Sequence, residues 1–138
     1  MVQISVTHAR LDSPSPYYAG KARVDAHVAA HCRSWATVHP TLVVGPKDVL
    51  TGNMAWFVRR SPVVLLPRGG YPLQPVTLAD VGRIVADAAE SEACGPIEAA
   101  GPDRWTFRHY IELIARSLDR RAIVLEVPES LFVAVMAL

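Results

Sequence analysis

Residues 2–7, VQISVT, place apolar side chains at positions 2, 4 and 6 with polar ones between them. A two-residue period predicts a half-buried strand. A loop rich in Asp, Ser and Pro follows. Pro16 suits the first turn of a helix, where its missing N–H leaves no bond unmade. That helix is expected to run to about residue 32, with Ala and Val at helical spacing. Residues 35–38 read as a second strand closed by His39-Pro40, and residues 42–44 extend it to the turn Gly45-Pro46. Residues 48–60 predict a helix with Met54, Phe57 and Val58 along one side, and Pro62 stops it. A short strand, VVLLP, leads into an Arg68-Gly69-Gly70 turn, where glycine supplies positive φ.

The later half repeats the alternation. Residues 73–76 are extended around Pro75, and Thr77 is a good N-cap for a helix burying Val81, Ile84, Val85 and Ala88. Residues 97–100 form a strand. Thr106 caps a helix whose inner stripe is Phe107, Tyr110, Ile111 and Ile114. AIVLEV is a last strand, and Pro128 opens a final helix. Strands alternating with helices imply an α/β fold with a largely parallel sheet. The last stretch, SLFVAVMAL, has no polar residue after Ser130, and a buried-looking strand begins almost at once at the other end. Both ends are therefore expected to lie inside a larger fold.

Composition narrows the function classes. A chain of 138 residues, 51% of them hydrophobic, can bury one core and is expected to be globular. Fourteen Lys and Arg against thirteen Asp and Glu give a net charge of +1, and the basic residues occur in pairs without a stripe. That argues against nucleic-acid binding. Cys32 and Cys94 lack CxxC spacing, so reduced thiols and no metal site are expected. No charged segment followed by an apolar one opens the chain, and residues 131–138 are too few to cross a bilayer. A cytoplasmic location is the expectation.

Tyr17 and Lys21 lie four apart, on one helix face with Val24 and Val28. A free phenol titrates near pH 10, too high for a base at neutrality. A nearby ammonium favours the phenolate, so such a pair can pass a proton to or from a substrate oxygen. Ser5 and Thr7 end the preceding strand, where a hydroxyl could meet the same oxygen. The plainer alternative is an interfacial tyrosine, a solvated lysine and strand-end hydroxyls bonded to backbone.

The stretches ISVTHA, SPYYAGKARVDAHV, WATVHPTLVVGPKDVL, NMAWFVRR, LQPVTLADVGRIV, EAAGPDRWTFRHYIELIA and VPESL follow one another across nearly the whole chain. In that order they resemble the second half of the short-chain dehydrogenase/reductase superfamily. The likeness is to its atypical and extended members: NAD(P)-binding, NAD-dependent epimerase-like proteins and relatives of the nucleotide-binding accessory subunit of respiratory complex I. The resemblance implies an α/β fold, the second half of a Rossmann-like parallel sheet with helices and a small C-terminal substrate lobe, truncated at both ends. It implies residues 1–60 as the Rossmann-like part and 61–138 as the substrate lobe, in one compact unit overall.

By the same resemblance Tyr17 would be the acid/base, Lys21 would assist it and bind the nicotinamide ribose, and Ser5, with Thr7 as the alternative, would be the third member, Thr7 also counting among the cofactor-binding residues. Pro40 and Thr41 would edge the nicotinamide pocket, and Asn53, Trp56 and Gln74 would border the substrate, with Pro75, Val76 and Asp80 close by. His39 stands where the family usually has arginine, a switchable ring for a fixed charge. The implied cofactor is NAD or NADP. Yet no G-x-G-x-x-G or G-x-x-G-x-x-G occurs, so the half that grips the pyrophosphate is expected to be missing. A homo-oligomer or a complementary chain would then cover the exposed sheet. Two function classes follow: part of an NAD(P)-dependent oxidoreductase or epimerase acting on a small molecule, or a non-catalytic binding or assembly module, an inactive remnant of the same fold.

Overall fold

The structure, a computed structural model, describes residues 1–92 and 94–136. Its elements run β1 (Val2–Ile4), α1 (Pro16–His31), β2 (Ala36–Pro40), β3 (Leu42–Val44), α2 (Val49–Arg60), β4 (Val63–Pro67) and β5 (Pro72–Leu73). They continue β6 (Pro75–Thr77), α3 (Leu78–Glu90), β7 (Gly95–Ala99), β8 (Trp105–Thr106), α4 (Phe107–Ser117), β9 (Ile123–Val127) and α5 (Glu129–Met136). Local chemistry sets several of these boundaries. Asp48 accepts from Thr51 N at 2.8 Å, Thr77 from Asp80 N at 3.0 Å and Thr106 from His109 N at 3.2 Å, so α2, α3 and α4 each start on a side-chain cap. Gly69 and Gly70, with φ of 146° and 57°, make the turn after β4 that the sequence predicts. The end of the expected last helix, residues 137–138, lies outside the described residues.

The chain forms two compact units, each assembled from two segments. The first comprises Met1–Gly45 and Gln74–Asp103. The second comprises Pro46–Leu73 and the chain from Arg104 onward. The sequence reading instead divides the chain once, at residue 60, because a linear motif order does not reveal that a chain returns to its first unit.

In the first unit β1, β2 and β7 form a parallel three-stranded sheet in that order, and β3 pairs in parallel with β6. Alternation along β2 sends Ala36 and Val38 to one face, where they join Val76, Val81, Ala88 and Ala99 in the core, with Ile84 and Val85 of α3 packed on it. The inward stripe expected for α3 is thus the observed one. On the opposite face Thr37 and His39 meet polar neighbours. In α1 the buried residues are Ala19, Ala22 and Val28, whereas Val24 is 43% exposed. The expected face of Tyr17, Lys21, Val24 and Val28 is therefore corrected. The ladder 17, 21, 25, in steps of four, is the better guide, and it brings Asp25 inward.

In the second unit β4 pairs in parallel with β9, and β5 pairs antiparallel with β8. Its core is Val58, Leu66, Ile111, Ala115 and Val124, with Met54 and Phe107 against it. Phe57 departs from expectation. It is 44% exposed, because it is turned about 100° from Val58 on the helix, off the stripe that Met54 and Val58 share. Among the described residues no helix is long and apolar enough to cross a membrane.

Candidate active site

The polar face of the first unit's sheet carries one continuous row. Ile4 stands opposite Val38, and Ser5 N donates to Val38 O at 2.8 Å, so the next rung sets Ser5 beside His39. On the other side His39 stands opposite Glu98. Thr7 N donates to Pro40 O at 3.1 Å and carries the β1 ladder past its last strand residue. Ser5, His39 and Glu98 thus cross three parallel strands at their C-terminal end, the end at which open α/β sheets bind ligands.

Helix α1 lays one more acid over that row. The Ser5 hydroxyl donates to Asp25 Oδ2 at 2.5 Å, and His39 Nε2 lies 3.5 Å from the same oxygen. His39 Nε2 is also 3.2 Å from the Thr37 hydroxyl, and its Nδ1 is 3.9 Å from Glu98 Oε1. Thr7 donates to Glu98 Oε2 at 3.1 Å. Asp25 and His39 are each 15% exposed, and Ser5 only 5%. Asp25 Oδ1 is buried with no hydrogen-bond partner, a costly arrangement that concentrates the carboxylate's bonding on Oδ2.

Tyr17 and Lys21 sit about two turns and one turn before Asp25. Tyr17 is 59% exposed, its ring edge-on to Tyr18 at 5.3 Å, and no described residue hydrogen-bonds its hydroxyl. Lys21 Nζ donates to Ile4 O at 3.1 Å and so ties the helix to the end of β1. The loop between them is braced by Arg10, whose guanidinium meets Asp12 at 3.0 and 2.7 Å. Hydrogen bonding and charge from Arg10 hold the Asp12 carboxyl below its ordinary range.

The remaining expected residues divide between the units. Pro40 is buried at the end of β2. Thr41 donates to Gln74 O at 2.5 Å, and Gln74 Nε2 donates to Gly101 O at 2.7 Å, so both hold together the joint between β2, β6 and β7. Val76 is buried in the core, and Asp80 accepts from Thr77 at 2.6 Å and from Arg83 at 3.3 Å. Asn53 and Trp56 belong to α2 in the second unit; Asn53 is exposed, and the Arg60 guanidinium lies 3.9 Å over the Trp56 ring. That unit also holds an apolar cavity of about 650 Å³, lined by Met54, Phe57, Leu66, Tyr71, Phe107 and Phe132.

Sequence reasoning missed Asp25, Glu98 and Thr37. Asp25 was legible as the next step of the ladder from Tyr17 and Lys21. Glu98 was not, because strand register is decided by pairing across the sheet and no local pattern states it.

A dinucleotide needs a ribose contact and a pyrophosphate cradle. Lys21, with two of its three donors left, fits the first. The second is not met among the described residues. The N-termini of α2, α3 and α4 are occupied by their own caps, with the carboxylates of Asp48 and Asp80 at two of them, and α1 opens on a proline. No group of three or more His, Cys, Asp or Glu able to hold a metal occurs among those residues.

Parallel strands joined through helices, with a polar row at the strand ends, define a Rossmann-like α/β fold. No family model and no curated protein matches the chain. Solved structures do. The dTDP-4-dehydrorhamnose reductase of Bacillus anthracis, in complex with NADP, is similar at a TM-score of 0.79 and 14% identity, over 95% of this chain and 51% of that one. The UDP-N-acetylglucosamine 4-epimerase of Methanobrevibacter ruminantium, in complex with UDP-N-acetylmuramic acid, follows at 0.75 and 17%, over 93% and 50%. The UDP-glucose 4-epimerase of Thermus thermophilus, in complex with NAD, is similar at 0.72 and 18%, over 92% and 50%. At such identities the likeness is one of fold, and this chain spans about half the length of each neighbour.

Proposed function

We propose that the chain is the second half of an NAD(P)-dependent oxidoreductase or epimerase-like protein of the short-chain dehydrogenase/reductase type. In this reading Tyr17 exchanges a proton with an oxygen of a small-molecule substrate, and Lys21 assists it and holds the nicotinamide ribose. The observation that supports the reading is the placement, four residues apart on α1, of an exposed tyrosine and a lysine anchored to Ile4 at the end of β1. A bound nicotinamide supplies hydride transfer, and the tyrosine supplies the proton. The pyrophosphate cradle comes from a Gly-rich half that is not among the described residues. Because β1 ends its sheet and leaves Ile4 48% exposed, that half, or a second copy of this chain, pairs along the β1 edge.

A second reading, a non-catalytic binding or assembly module, draws on Ser5. Its hydroxyl is buried and already bonded to Asp25. Titration of the chain with NADH and NADPH tests the first reading. Weak binding is expected, weakened further by Lys21→Ala. Tight binding indifferent to Lys21→Ala would overturn the assigned geometry. Light scattering tests the edge, since a monodisperse monomer contradicts pairing along it.

A further inference from the structure

Hydroxyls can both donate and accept, and what a hydroxyl offers a ligand depends on where its single proton points. In the first unit the proton of each strand-end hydroxyl is already committed. Ser5 faces Asp25 Oδ2 at 2.5 Å, Thr7 faces Glu98 Oε2 at 3.1 Å and Thr41 faces Gln74 O at 2.5 Å. Carboxylates and carbonyls have only lone pairs to give, so in every one of these contacts the shared proton belongs to the hydroxyl. The Ser5 contact is the strongest of the three. It is short, it is part-buried, and Asp25 has no other hydrogen-bond donor nearer than His39 Nε2 at 3.5 Å, with Oδ1 unpartnered.

We propose that Asp25 is a positioning residue which, with Glu98, draws the protons of Ser5 and Thr7 away from the site and leaves both as hydrogen-bond acceptors. Tyr17, by contrast, is a hydroxyl whose proton no acceptor among the described residues takes up. A ligand group that meets Ser5 or Thr7 must itself carry a proton, as a hydroxyl or an amine does, and a carbonyl oxygen is refused there. The consequence for ligand choice rests on the reading that a substrate oxygen meets Tyr17, but the direction of the Ser5 proton does not.

The proton can be observed directly by NMR in the whole chain. A serine hydroxyl held by a buried carboxylate exchanges slowly with water and gives a resolved signal correlated with Ser5 Cβ, which Ser5→Ala assigns. In the unaltered protein, deuterating that hydroxyl is expected to shift the Asp25 carboxyl carbon. Asp25→Ala should speed hydroxyl exchange about ten-fold or more, the loss expected when a charge-assisted hydrogen bond goes. Asp25→Glu should restore part of the protection. A Ser5 hydroxyl that exchanges as fast as an exposed serine's, or one without effect on the Asp25 carbon, overturns the proposal. The isotope effect needs no substitution at Asp25, so a variant that fails to fold leaves the test standing. Tyr17→Phe is expected to leave the Ser5 signal in place, so the dinucleotide titration and this measurement can fail independently.

Discussion

The Lys21 ammonium donates to the backbone carbonyl of Ile4 at 3.1 Å, fastening the first helix to the end of the first strand. One side chain thereby serves the fold while two of its donors stay available. Lys21→Met removes a bond made partly in water, worth about 1 kcal/mol. Thermal unfolding should fall by about 2–8 °C. An unchanged midpoint would mean that the contact adds nothing to stability and that Lys21 is retained for binding alone.

Tyr17 should behave in the opposite way. It is 59% exposed, and its ring meets that of Tyr18 edge-on. Tyr17→Phe is expected to alter stability by less than about 0.5 kcal/mol, as surface changes without partners do. In protein reconstituted with a Gly-rich half, proton-coupled turnover should drop about 10²–10⁴-fold. Loss of stability without loss of turnover would make the tyrosine a structural residue.

The contrast between these residues marks what the sequence could convey. Caps, turns and inward stripes were legible because each depends on residues a few positions apart: Thr77 with Asp80, Thr106 with His109, and Val81 with Ile84 and Ala88. The helix carrying Tyr17 and Lys21 was legible for the same reason. Motif order points Gln74 toward a substrate, and no local pattern shows that its amide also reaches Gly101, 27 residues away. Glu98 gave no local sign at all, since 91 residues separate it from Thr7. Phe57 misled because a three-residue spacing from Met54 suits a helix stripe, while Val58 took the buried position.

Gly101 supplies a test of that distant joint. A Cβ there would overlap the carbonyl of Pro75, a backbone atom at the start of β6 that cannot swing aside. Gly101→Ala should therefore cost about 2 kcal/mol or more. Gln74→Ala, which only deletes the 2.7 Å bond to Gly101 O, should cost about 1 kcal/mol. Urea unfolding of both variants checks the order. A harmless Gly101→Ala would mean that β6 yields easily.

Tyr110 makes stability depend on pH at the alkaline end. Its side chain is 5% exposed, and its hydroxyl meets that of Thr51 at 2.5 Å. Burial pushes the phenol above its ordinary value of 10.0; the Thr51 hydrogen bond pulls it down, and the charge of Asp48 adds a further upward push. The folded chain therefore keeps the proton at a pH where the unfolded chain has released it. That preference contributes fully below about pH 10, the unfolded value, and is lost as pH rises through the higher folded value. Urea unfolding at rising pH should show stability falling faster above about pH 10 in the unaltered protein than in Tyr110→Phe. Phenolate absorbance should show one tyrosine ionising later in the folded protein, and that late step should vanish in the variant. Parallel stability curves for the two proteins would refute the assignment.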